Sequence, residues 1–227
     1  MIKFEHTDVH GFEAAIRGMR NSWNSWDKSD SHICLAEYGV DCAMAENGHE
    51  PAKKCHNGDF NYCIGENDLS LMQKLIKAGT DHSKFMRMID VSVDITAPLY
   101  WWKQFDQYHI GVTTNSTSTM HCIADKEFTL DDFSYEHLYE ESSLSLYATV
   151  CILNVIRQDY LETKDKKYWW EIIQLLPSSY NQKRTVHLNY QVLRNIYFAR
   201  RNHKLDEWVS LCEWIKTLPY SELITEV

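Results

Sequence analysis

Three groups of residues have the types and spacing to do chemistry. The segment LNYQVLRNIYFARR, residues 188–201, sets two asparagines and an arginine into an apolar pattern. At about 100° per residue, Leu188, Asn189, Val192, Leu193, Asn195, Ile196, Ala199 and Arg200 fall within one arc of a helix. Tyr190, Gln191, Arg194, Phe198 and Arg201 fall elsewhere. The spacing therefore predicts a helix whose inward face carries Asn189, Asn195 and Arg200. Buried amide and guanidinium groups are costly unless hydrogen-bonded. They act either as ties to nearby loops and carboxylates or as the lining of a pocket for a planar, polar ligand.

The second group lies in APLYWWKQFDQYHIGVTTNSTSTMH, which begins at Ala97. Gln104, the triplet Gln107-Tyr108-His109 and the run Asn115-Ser116-Thr117-Ser118 offer many directional hydrogen bonds. The same composition also describes an ordinary Ser/Thr loop. The third group is Cys34, Cys42, Cys55 and Cys63, with 7, 12 and 7 residues between them and His32, His49 and His56 among them. Four thiolates satisfy a structural zinc ion. The usual zinc signature, however, pairs cysteines two to four residues apart. Zinc, plain reduced thiols and disulfides all stay open, and a bound metal would fold this segment rather than catalyse.

Elements that must position these groups follow from periodicity. Residues 11–22 predict an amphipathic helix with Phe12, Ala15, Ile16 and Met19 on one side. Residues 31–64 form a Cys/His-rich insert with little apolar periodicity. A helix starts at Asn67-Asp68 and stops at Gly79. In residues 87–96, Ile89, Val91, Val93 and Ile95 alternate with polar partners, which predicts a half-buried strand. Pro98 opens an aromatic helix. Residues 142–162 predict a long helix buried in the core or at a subunit interface, and two more helices follow near 187–202 and 205–216. One clear strand with at least five helices gives an α+β class, read as a single domain over 1–227.

The order of these pieces resembles the flavin-dependent thymidylate synthases over roughly residues 67–216. That family carries a strand, Ala-Pro, a helix with Gln, Arg-His-Arg, and then Asn-x-x-Ser-x-Arg-Tyr. Further on come Glu-x-x-Arg-x-x-Leu-Pro and a helix with two asparagines and an arginine. Here Ala97-Pro98 and Gln104 match, as do Asn115 and Ser118 with one extra residue before them. Glu171 and Leu176-Pro177 match with one residue fewer between them. Asn189, Asn195 and Arg200 match in identity and spacing, and His82-Ser83-x-Phe85 resembles the family's His-x-Ser-Pro-Phe segment.

The resemblance implies a central sheet flanked by helices, a long helical core and reductive methylation of a deoxyuridine nucleotide. It implies FAD as cofactor, methylenetetrahydrofolate and NADPH as co-substrates, and a homotetramer. Arg200 takes the catalytic place, stabilising charge that develops on the pyrimidine ring. Gln104, Gln107, His109, Asn115, Asn189 and Asn195 take cofactor places, and Ser118, His121, Gln174 and Arg87 substrate places. The departures concern phosphate. Arg-His-Arg is Gln107-Tyr108-His109 here, and the Arg-Tyr of the serine stretch is Met120-His121. The Arg of Glu-x-x-Arg is Gln174 or Ile173. Bidentate arginine–phosphate contacts are strong and specific, and Arg87, Arg184, Arg194 and His121 are the residues that would replace them. A homologue that keeps the fold but only binds a nucleotide or protein is the alternative, as is a flavoenzyme acting on another pyrimidine nucleotide.

Composition excludes other classes. Among 227 residues, 44% are hydrophobic and eight are tryptophan, far too apolar for disorder. A net charge of −9 argues against non-specific nucleic-acid binding. No stretch reads as a signal peptide or membrane span, and seven cysteines cannot close a disulfide set, so a reduced, cytoplasmic protein is expected. Trp101-Trp102 and Trp169-Trp170 are expected as core or interface anchors. Asp131-Asp132 and Glu140-Glu141 are expected as helix-end charges, and Cys122, Cys151 and Cys212 as small buried residues.

Overall fold

Strand β4 (Asp90–Pro98) shows most plainly how the sequence builds the fold. Val91, Val93, Ile95 and Ala97 are buried while Asp90, Ser92, Asp94 and Thr96 are half-buried, the period-2 pattern of a strand with one face on the core. The computed structural model describes residues 2–33 and 62–226. It adds β1 (Lys3–His10), β5 (Thr113–Ser116) and β6 (Asn181–Asn189), and the sheet runs β1-β4-β6-β5. A two-stranded sheet pairs β2 (His32–Ile33) with β3 (Tyr62–Cys63) antiparallel, His32 opposite Cys63. These two strands are the described ends of the Cys/His-rich insert.

The helices are α1 (Phe12–Arg20), α2 (Glu66–Lys77), α3 (Leu99–Phe105), α4 (Thr119–Cys122), α5 (Glu140–Thr163), α6 (Lys166–Leu175), α7 (Tyr190–Arg200), α8 (Asp206–Lys216) and α9 (Glu222–Thr225). Expected helices at 11–22, 67–79, 98 onward, 142–162 and 205–216 are all present. The expectation of one clear strand is corrected: β1, β5 and β6 were hidden because their patterns are polar. All four residues of β5 are exposed, and β6 spends its alternation on Gln182, Val186 and Leu188. The helix expected near 187 begins at Tyr190, because residues up to Asn189 are strand.

Two compact units divide the chain: Met1–Glu5 with Asp94–Val186, and His6–Val93 with His187–Val227. In the first, α5 buries Leu146, Val150, Leu153 and Ile156 against Phe128, Phe133 and Ile172. Its opposite side leaves Leu144, Tyr147, Ile152 and Val155 more than half exposed. Trp101 and Trp102 are wholly buried and pack edge-on at 4.9 Å, the core role expected of them. Trp169 and Trp170 pair likewise at 4.8 Å, but Trp170 is exposed. Asp132 closes a capping box with Thr129, and Glu140-Glu141 sit in the first turn of α5, as helix-end charges should.

In the second unit, Phe12 meets Tyr190 and Tyr220 at 5.7 and 5.6 Å. Asp68, in the first turn of α2, is wholly buried and takes the Nε–H of Arg20 at 2.6 Å. It also accepts from the hydroxyls of Ser29 and Ser31 and the backbone N–H groups of Asp30 and Ser31. A buried carboxylate at this helix start, compensated by these donors, therefore ties down the chain that leads into the insert. Cys212 is buried as expected, whereas Cys122 and Cys151 are exposed. The reason is local: Cys151 lies on the solvent side of α5, and Cys122 ends the four-residue α4.

Candidate functional site

In the first unit, residues that the sequence pattern singled out gather around the turn between β5 and α4. Ser118 is the N-cap of α4: its hydroxyl oxygen accepts from the His121 backbone N–H at 3.1 Å and lies 2.8 Å from His121 Nδ1. Strand β6 fixes the turn from one side. The Thr117 backbone N–H donates to the Lys183 carbonyl at 2.9 Å, and Gln182 Nε2 donates to the Thr117 carbonyl at 2.8 Å. Helix α6 fixes it from the other, through Trp169 Nε1 donating to the Met120 carbonyl at 3.0 Å.

Beside this turn lies a cavity of about 470 Å³, lined by Ser118 with Thr96, Thr117, Thr119, Tyr180, Asn181, Asp125, Asp131, Asp132, Lys126 and Lys183 among others. Both lysines are already ion-paired. Lys126 Nζ contacts Asp132, and Lys183 Nζ lies 3.2 Å from both Glu5 and Asp94. Hydrogen bonds donated to these carboxylates hold both ammonium groups above their usual pKa, Asp132 accepting from Lys126, and Glu5 with Asp94 from Lys183. Burial pushes the Tyr180 phenol up. Asp125 does the same to the exposed Cys122 thiol, which favours an inert thiol over a nucleophile.

Gln104 is half-buried near the end of α3, and Gln107 and His109 follow it in the exposed turn, where His109 Nδ1 stands 3.0 Å from the Gln107 carbonyl. Asn115 is exposed on β5, and Gln174 is exposed on α6. Helix α3 is oriented by the segment before β6: the Leu99 and Tyr100 N–H groups donate to the carbonyls of Tyr180 and Ser178, both at 3.0 Å. Arg184 stacks 4.2 Å above the Trp102 ring and donates to Gln182 Oε1 at 3.0 Å and Asp106 Oδ1 at 2.7 Å. Its guanidinium is therefore engaged in holding α3 to β6.

In the second unit, Asn189 is the N-cap of α7, its amide oxygen accepting from the Val192 N–H at 3.1 Å. Arg200 ends α7, half-buried, with its guanidinium 4.7 Å over the Trp208 ring. The predicted inward arc is corrected. Tyr190, Gln191, Leu193, Ile196 and Tyr197 are buried, while Asn195 and Ala199 are exposed. Because the helix starts only after Asn189, packing selects the face that begins at Tyr190, whose hydroxyl donates to the Pro219 carbonyl. The amide that the sequence pattern passed over is Gln191. It is buried, takes the Ser83 hydroxyl at 3.4 Å and donates to Asn195 Oδ1 at 3.1 Å. Its signal was Ser83, within a segment already singled out. Arg194 is occupied by the carbonyls of Leu223, Ile224 and Glu226, whereas Arg87 is exposed.

Of the four cysteines weighed as a zinc set, Cys34, Cys42 and Cys55 lie outside the described residues, and Cys63 is buried in β3. Among the described residues no group of three or more His, Cys, Asp or Glu side chains suits a metal ion. None of the described helices is long and apolar enough to cross a membrane.

No protein-family model matches the sequence, and no curated protein does. Solved structures do match. Thymidylate synthase X (ThyX) from Helicobacter pylori, solved with FAD and dUMP, superposes with a TM-score of 0.64 over 99% of this chain and 95% of its own. The fold is that of the flavin-dependent thymidylate synthases. The UMP/dUMP methylase PolB from Streptomyces cacaoi, bound to 5-Br UMP, also matches, with a TM-score of 0.55 over 99% of this chain and 93% of its own. Sequence identity is 15% to ThyX and 11% to PolB, so the relationship is one of fold. The ThyX-like α+β class expected from the order of motifs is present.

Proposed function

We propose that this chain is a flavin-dependent enzyme that reductively methylates a pyrimidine nucleotide, with methylenetetrahydrofolate as carbon donor and NADPH as reductant. The observation that carries this reading is the ThyX fold over 99% of the chain combined with Asn189, Asn195 and Arg200 at the family's spacing. The donor set of the first unit, amides and an imidazole at Gln104, Gln107, His109 and Asn115, suits the ring edges of a flavin better than its pyrophosphate. FAD would be held there by hydrogen bonds, and it supplies the hydride when bound.

The chain's own residues have plain roles. Arg200 contacts the pyrimidine and stabilises negative charge on it, and the Trp208 face keeps its guanidinium plane fixed. Asn189 spends its amide oxygen on the α7 cap, so its NH₂ is the group a cofactor would meet, and Gln191 orients the Asn195 amide by donating to its oxygen. Ser118, His121, Gln174 and Arg87 bind substrate. The apolar outer side of α5, with Leu144, Tyr147, Ile152 and Val155, is a face that other copies would cover in the homotetramer the resemblance implies, and a cytoplasmic location belongs to the same reading. The insert takes zinc only if Cys63 joins Cys34, Cys42 and Cys55.

One observation favours the second reading, a nucleotide- or protein-binding homologue without catalysis. Arg184 and Arg194, two of the candidates to replace the missing phosphate arginines, are committed to partners within the chain. The two readings part in one assay. The protein is incubated anaerobically with FAD, NADPH, methylenetetrahydrofolate and a panel of pyrimidine nucleotides and nucleosides, and 5-methyl products are sought by mass spectrometry. The enzyme reading expects a product, and a loss on the order of 10²–10³-fold in Arg200→Ala, as for one charge-stabilising donor. No product with any member of the panel would leave the binding homologue.

A further inference from the structure

The cavity between β4, β6 and the Ser118 turn carries information about the ligand beyond its class. This inference rests on the pyrimidine-methylating reading above and revises its nucleotide substrate to a nucleoside. Phosphate recognition needs uncommitted cationic or N–H donors. Here three aspartates face two lysines, and neither lysine is uncommitted: Lys126 pairs with Asp132, and Lys183 bridges Glu5 and Asp94. A dianion placed here meets the carboxylates of Asp125 and Asp131 at short range. Among the described residues no arginine lines the cavity, and Arg184 on the same strand as Lys183 is turned to Asp106 and Trp102.

The rest of the lining sets the hydroxyl and amide groups of Thr96, Thr117, Ser118, Thr119, Tyr180 and Asn181 beside Cys122 and Ile123. Carboxylates accept hydrogen bonds from hydroxyls, and Ser, Thr and Tyr both donate and accept. At about 470 Å³ the space falls within the range of small-molecule sites. We infer that this cavity receives the unphosphorylated sugar of a pyrimidine nucleoside, so that the chain prefers a uridine-type nucleoside to its 5′-monophosphate. Asp125 and Asp131 accept from sugar hydroxyls and at the same time exclude phosphate.

Calorimetric titration of the full chain, saturated with FAD if it takes FAD up, compares uridine and deoxyuridine with UMP and dUMP. The expected result is at least tenfold tighter binding of the nucleosides at low ionic strength. The gap should narrow in salt, and in Asp125→Asn/Asp131→Asn it should close by improved binding of the monophosphates. Tighter binding of UMP or dUMP by the wild type overturns the inference and leaves the methylating reading intact. Binding of neither form also overturns it, and flavin uptake, measured separately, then decides the wider reading. If nucleosides are preferred but the double variant leaves the gap unchanged, the aspartates are not the cause and the assignment of this cavity fails.

Discussion

Replacing Asp68 with alanine should be the most damaging single change at the root of the insert. The carboxylate is wholly buried and Arg20 beside it is only 4% exposed, so the substitution leaves a guanidinium in the core without a counter-charge. Breaking a buried, hydrogen-bonded pair by removing one partner costs on the order of 3–5 kcal/mol. At about 2–4 °C per kcal/mol for a chain of this size, melting should fall by roughly 6–20 °C. Arg20→Met should cost less, about 1–3 kcal/mol, because Asp68 keeps four other donors: two hydroxyls and two backbone N–H groups.

The pair also gives the protein an acid limit. Burial alone would raise the Asp68 pKa, but hydrogen bonds from Ser31, Ser29 and Arg20, with the Arg20 charge, outweigh it and hold the carboxyl below its usual value. A depressed folded-state pKa contributes stability that is present above the unfolded value, about 3.9, and lost as pH falls through the folded one. Wild type should therefore lose this increment below about pH 4, while Asp68→Ala should lose less over the same range. Urea unfolding followed by circular dichroism and tryptophan fluorescence between pH 3 and 7 measures both effects. A loss under about 1 kcal/mol in Asp68→Ala, the worth of a surface pair, would refute the reasoning.

Three other experiments test separate parts of the structure. Gly11 sits at φ +98°, and an added Cβ would stand 2.0 Å from the Met88 carbonyl oxygen, whereas Gly79 at φ +108° faces open space. Gly11→Ala should cost more than the roughly 1–2 kcal/mol of backbone strain expected for Gly79→Ala, and equal costs in urea titrations would contradict the close approach. Arg184→Met should keep the apolar cover on Trp102 and lose about 1–2 kcal/mol of stability with ligand affinity unchanged. Collapse of nucleotide binding in a stable variant would instead make Arg184 a ligand residue. Cysteine alkylation mapped by mass spectrometry should spare Cys63 and Cys212 until denaturant is added. Both are buried, and burial pushes the Cys212 thiol up to about 11.

What was legible in the sequence tracks the strength of local patterning. The β4 alternation and the apolar runs of α1 and α5 declared themselves because burial on one face leaves a period. Strand β6 did not, since half-buried Lys183 and Arg184 and exposed Thr185 stand at its centre, side chains that pair across the sheet with Asp94 and Glu5 or reach Asp106. Edge strand β5 buries nothing and so leaves no period at all. The orientation of α7 was misread for a related reason. A strand running straight into a helix removes the gap that would have fixed the starting phase, and the error exchanged Gln191 for Asn195 as the buried amide. The cavity beside Ser118 was out of reach because its lining comes from segments far apart in the chain, from Thr96 to Lys183. Ser118 itself was legible, and so was the loss of arginines around it.

The measurement that bears most directly on the proposed chemistry is flavin retention. The purified chain is mixed with FAD, passed through a gel-filtration column, and the visible spectrum of the protein peak is recorded. A methylating flavoprotein predicts flavin bands co-eluting with the protein and perturbed relative to free FAD, with a further change when the preferred pyrimidine compound is added. FAD that separates completely, with no spectral change on mixing, would contradict the claim and leave a protein that keeps the fold without its cofactor.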